Sequence, residues 1–130
     1  MSQLLTDLAL PTTITVHTID LSPFGIHAQA WPRQAALALV HHLRGKPVAV
    51  LGGDVLRFEN GQPVHTYDNW SIIPNQREEF AQYATRSHDE THIYLQHYKE
   101  GGPGYLYLLV LADHLPSLTP GMEPETDSGS

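Results

Sequence analysis

Asn60-Gly61 is the feature that most constrains this chain. The dipeptide lies between two strand-like runs, residues 54–58 and 63–70. A two-residue hairpin loop of the favoured kind needs positive φ at both central positions, which Asn and Gly tolerate best. A regular hairpin built on that loop sets Asp54 opposite Tyr67 and Gly53 opposite Asp68. Its first arm begins earlier, at Pro47-Val48-Ala49-Val50-Leu51, a largely buried strand by composition. Gly52-Gly53 interrupts that arm, and adjacent glycines inside a strand mark a bulge or a close backbone approach.

The remaining elements follow from periodicity. Ile14-Thr15-Val16-His17-Thr18-Ile19-Asp20 alternates apolar and polar residues, predicting a half-buried strand that ends at Ser22-Pro23-Phe24-Gly25. Pro32 opens a short helix whose apolar positions Ala36, Leu39, Val40 and Leu43 fall on one face, and Gly45 supplies a left-handed stop. Asn75 and Glu78 have capping-box spacing. They predict the start of a long amphipathic helix reaching Lys99, with Phe80, Tyr83, Ala84, Thr91, Tyr94, Leu95 and Tyr98 as its buried stripe. Gly101-Gly102-Pro103-Gly104 ends it, and residues 105–112 form a nearly all-apolar run suited to a central strand.

The order is β–α–β–β–α–β. It predicts an α+β domain with a single sheet of about four strands and two helices on one face. A ferredoxin-like strand order is the nearest named arrangement, and other orders fit the same string. Residues 1–13 read as an N-terminal arm and residues 14–114 as one domain. Residues 115–130, rich in Pro, Gly, Ser, Thr and acid, read as a disordered tail.

At 130 residues the chain has room for one core without metal or disulfide staples. It has no cysteine, which excludes disulfides, thiolate zinc sites, iron–sulfur clusters and a Cys nucleophile. Fourteen acidic against seven basic side chains leave a net charge of −7, the wrong sign for a surface that neutralises phosphates. Neither nucleic acid nor an anionic membrane is therefore an expected partner. No basic leader precedes residues 1–13, and the longest apolar run is far below the roughly 20 residues of a membrane span. A cytoplasmic location is the expectation.

Few residues suggest chemistry. His88 and His92 lie four apart, on one face of the long helix, and could chelate a metal. The residues between them are Asp89-Glu90-Thr91, which is not the metalloprotease pattern, and a solvated polar face opposite the tyrosine stripe accounts for both. His41 and His42 suit the negative end of the first helix. Asp54 and Asp68 are the paired-carboxylate candidates. A regular ladder points them to opposite faces, so acid–base catalysis requires a bulge at Gly52-Gly53 to bring them together. Their simpler use is bonding to backbone where the strands splay. Ser22, Ser71 and Ser87 lack a nucleophile-elbow context, and no glycine-rich loop precedes a helix. No cofactor is expected.

Ile19-Asp20-Leu21-Ser22-Pro23-Phe24-Gly25-Ile26, Val50-Leu51-Gly52-Gly53-Asp54-Val55 and Thr66-Tyr67-Asp68-Asn69-Trp70 carry a family resemblance, with Tyr83 to Ser87 fitting the same pattern. Together they resemble the immunity protein 40 family of bacterial polymorphic toxin systems, over about residues 14–112. The resemblance implies a small cytoplasmic, non-catalytic protein that binds and neutralises a cognate toxin domain. It transfers no catalytic residues, and it leaves the long acidic tail and the nine histidines without an account. Tight complexes centre on a few aromatic anchors ringed by polar groups. Asp54, Tyr67, Asp68, Asn69 and Trp70, which coincide with the motif, are the expected partner-binding residues. Two other readings stay open. One is a small metal- or carboxylate-dependent hydrolase using Asp54, Asp68 and histidines; the other is a homo-oligomeric adaptor whose sheet edge pairs with a partner.

Overall fold

The structure, a computed structural model, describes residues 8–116. A short helix α1 (Thr12–Thr15) leads into β1 (Ile19–Asp20), a 3-10 turn (Ser22–Phe24) and β2 (Gln29–Trp31). Then come α2 (Arg33–Leu43), β3 (Ala49–Glu59), β4 (Gln62–Ser71), α3 (Phe80–His97) and β5 (Tyr105–Ala112). The strands form one antiparallel sheet in the order β1-β2-β5-β3-β4. The α+β class and the single sheet are as the sequence predicts, with five strands rather than about four.

The strand order is not ferredoxin-like. That arrangement puts the first and third strands of a β–α–β–β–α–β chain at the centre, whereas here β5 and β3 occupy it. The apolar content of the strands explains the choice. Val50, Val55, Tyr107 and Leu109 are buried on the helix side, and Leu56 and Leu106 on the other, so β3 and β5 need cover on both faces. β4 carries mostly exposed residues and takes the edge.

α2 is the element the sequence describes best. Ala36, Leu39, Val40 and Leu43 are fully buried, and Gly45 sits at φ +79° beyond the helix end. Fully burying a side chain of this kind stabilises by roughly 1.5–3 kcal/mol. α2 and α3 share one core with Val50, Val55, Tyr107 and Leu109, so both helices cover the same face of the sheet. A smaller core on the opposite face joins Leu21, Ala30, Leu56 and Leu106, covered by the β1 turn, where Phe24 meets Phe58 edge-on.

The N-terminal strand is the main correction. Residues 12–15 are helical and only Ile19–Asp20 pairs in the sheet. Pro11 sets the entry: its carbonyl accepts from the N–H groups of both Ile14 and Thr15, and Ile14 is driven into the main core. Val16, which the alternation assigns inward, is 62% exposed. The missing strand, β2, is three residues long and stops at Pro32, too short to display a period. Leu8, in the expected arm, is also buried in the main core. The segment 117–130, read as disordered, lies outside the described residues.

α3 starts four residues later than the Asn75 cap predicts. Glu79 caps it in a true capping box with Gln82, while Asn75 and Glu78 bond reciprocally in the preceding turn. Arg86 holds that turn by bonding Glu78 and the Ile73 carbonyl. The Arg86 contact pulls the Glu78 carboxyl down to about 2.

Candidate functional site

The candidate residues gather where the β3–β4 ribbon leaves its regular register. From the Asn60-Gly61 loop the ladder runs as predicted, Glu59 to Gln62 through Leu56 to His65. It then slips. Asp54 faces Asn69 and Gly53 faces Trp70, in place of Tyr67 and Asp68. The extra residues are on β4, between His65 and Asn69, and Tyr67 takes φ +70° there. A second bulge lies on β3: Val50 pairs with Leu111, but Gly52 pairs with Val110, leaving Leu51 unmatched. Both bulges bend the strands around one short patch, residues 52–54 against 69–71.

Both glycines are needed for this close approach. A Cβ on Gly52 would lie 2.2 Å from the Trp70 carbonyl oxygen, and its φ is +148°. A Cβ on Gly53 would collide with the Leu108 carbonyl oxygen and with the Trp70 ring. The motif Leu-Gly-Gly-Asp-Val followed by Tyr-Asp-Asn-Trp thus describes two segments that fit because one supplies the space the other fills.

The five candidate residues divide between the two faces. Trp70 lies over Gly53 on the helix side, stacks on Tyr94 at 4.5 Å between ring centroids, and donates its indole N–H to Thr91 Oγ1 at 3.1 Å. Asp68 turns the same way and accepts a 2.6 Å hydrogen bond from Tyr98 O–H. Burial, then that carboxylate, pushes the Tyr98 hydroxyl up to about 12, so it stays a donor well into alkaline solution. Tyr98 continues an aromatic row to Tyr105 and Tyr107, and Tyr107 donates to Glu100, which pairs with Arg33.

Asp54 and Asn69 stand opposite one another on the outer face. His65 Nε2 is 3.9 Å from Asp54 Oδ1, and the His65 ring stacks on Tyr67 at 5.1 Å. Tyr67 is 83% exposed, the largest exposure among the large hydrophobic side chains of the described residues. Its N–H donates to His65 Nδ1 at 2.8 Å, which fixes the bulge. A groove of about 290 Å³ runs beside this group, lined among others by Gly52, Asp54, Asn69, Ser71 and Val110.

The bulge does not unite Asp54 with Asp68: one faces the groove and the other is bound to Tyr98. The histidine pair is also revised. His88 is not solvated; it is 3% exposed, and its Nε2–H donates to the Val48 carbonyl at 2.7 Å. That bond fixes the tautomer, and burial holds the ring below its ordinary pKa. His92 is half-buried one turn on. Among the described residues no three His, Asp or Glu side chains come together as a metal set. Sequence reasoning passed over His65, Ser71 and Val110, which share the outer face, and Tyr98, the partner of Asp68. His65 carried a local signal, two residues before Tyr67; the link from Tyr98 back to Asp68 spans thirty positions and carried none.

No helix among the described residues is long and apolar enough to cross a membrane. No curated protein and no solved structure matches the chain. The immunity protein 40 family does, over residues 20–111, from the end of β1 to the penultimate residue of β5. That span holds most of the main core, the smaller core on the opposite face, both bulges and every residue of the groove, and the chain belongs to the immunity protein 40 family.

Proposed function

We propose that the protein is a non-catalytic immunity protein that binds a cognate toxin domain and neutralises it in the cytoplasm. The family match over residues 20–111 carries this reading. Tyr67, Asp54 and Asn69 are its contact residues on the outer face, and Trp70 and Asp68 brace them from the helix side. An exposed tyrosine held rigidly on a bulge suits an interface anchor: it offers a large contact area and little rotamer freedom to lose on binding. A net charge of −7 favours fast encounter with a basic partner, such as a toxin that itself binds phosphates.

Growth rescue tests the reading. Cells expressing the C-terminal domain encoded immediately upstream, which this reading makes the toxin, should survive when this chain is co-expressed. Death of cells that contain both proteins folded would exclude this pairing.

A further inference from the structure

The outer-face groove is lined by one carboxylate and by no cationic side chain. Asp54 lines it beside the amide of Asn69 and the hydroxyl of Ser71, with Val110 as its apolar wall. Most other carboxylates of the described residues already have partners. Glu59, Glu78, Glu90, Glu100 and Asp89 pair with arginines, and Asp68 and Asp20 accept hydroxyl hydrogen bonds. For Asp54 the one ionic neighbour among the described residues is a histidine at 3.9 Å, beyond hydrogen-bond length. No arginine lines the groove.

Size narrows the occupant. Small-molecule sites run from roughly 300 to 1,000 Å³ and enclose most of their ligand. This groove is about 290 Å³ and open, the scale of a single long side chain. Asp54 and Asn69 are directly opposed on the two strands, so a carboxylate and an amide project from the same face as cross-strand neighbours. A planar guanidinium has five donors in a fixed fork and can bond both acceptors at once, while its stem lies along Val110. A lysine ammonium offers no such fork.

We propose that the groove receives an arginine side chain of the protein partner, with Asp54 and Asn69 as its acceptors. That the partner is a toxin domain rests on the proposed immunity function; the groove's preference for arginine does not. Two titrations separate them. In the first, amide and side-chain NMR spectra of the full chain are followed against N-acetyl-arginine amide, with the lysine and citrulline amides as comparisons. Saturable shifts at Gly52, Gly53, Val110 and the Asn69 side-chain amide are expected with arginine, weaker ones with lysine and none with citrulline. They should vanish in Asp54→Asn, whose melting temperature should match the parent. Equal shifts with citrulline, shifts centred elsewhere, or none at all would overturn the proposal. In the second, calorimetry against the upstream toxin domain should show Asp54→Asn weakened about tenfold or more, with Asp89→Asn unchanged. Tight toxin binding that Asp54→Asn leaves intact would also overturn it, with immunity function standing. Groove shifts with arginine but no toxin binding would remove the toxin as partner and leave the groove's specificity in place.

Discussion

On the helix side of the β3–β4 ribbon, Trp70 and Asp68 are each held by a named hydrogen bond and an aromatic neighbour. On the outer side, a few ångströms of backbone away, Asp54, Asn69 and Tyr67 face solvent beside an open groove. One short stretch of β4 sends Trp70 and Asp68 to one side and Asn69 and Tyr67 to the other by the ordinary alternation of a strand. The slip at Tyr67 brings Asn69 opposite Asp54 of β3. The contrast teaches that a sequence motif can be half packing and half display. The packed half explains why the glycines and the tryptophan occur together; the displayed half is where a partner can act.

Substitutions should separate the two sides, and the largest effects belong to the inner one. Gly53→Val drives a side chain into the Leu108 carbonyl and the Trp70 ring, and should destabilise by about 3 kcal/mol or more in denaturant unfolding. Trp70→Ala removes the ring from Gly53, Tyr94 and Thr91, and should lose about 3 kcal/mol by the same measurement. Full stability in Trp70→Ala would break the division between faces.

Tyr98→Phe deletes the donor to Asp68 and keeps the ring, so a loss of about 1 kcal/mol is expected. Tyr67→Ala on the outer face should change stability by less than about 0.5 kcal/mol, since the side chain is almost fully exposed. A large loss there would mean the bulge depends on the tyrosine itself rather than on the backbone bond to His65.

A pH series sharpens the helix side further. His88 in the folded state lies below its ordinary value of 6.5, because burial disfavours the imidazolium. The unfolded chain therefore binds the proton more readily. The His88 contribution is fully present above about pH 6.5 and declines as pH falls through that value toward the lower folded pKa. His88→Gln should flatten this part of the stability profile; an unchanged slope would assign it to another histidine.

Local chemistry made much of the fold legible. Asn60-Gly61 set the hairpin, Pro32 and Gly45 bounded α2, and the apolar run 105–112 marked a central strand. The N-terminal segment was misread because burial of Ile14 beside Pro11 outweighed an alternating pattern of β-branched residues. Strand order was hidden, since it depends on which strands need two covered faces. At the site, the residue types and the opposite facing of Asp54 and Asp68 were visible, and the cross-strand partners were not. The slip at Tyr67 exchanges the partners of Asp54 and Gly53, and a hairpin loop fixes register only as far as the first bulge.

Calorimetric titration of the C-terminal domain encoded immediately upstream with the parent chain and with Tyr67→Ala tests the central claim most directly. The account predicts parent binding with a dissociation constant on the order of nanomolar, weakened by salt, and an affinity about tenfold lower or more for a fully folded Tyr67→Ala. Equal affinity of the two proteins, or no binding by the folded parent, would contradict it.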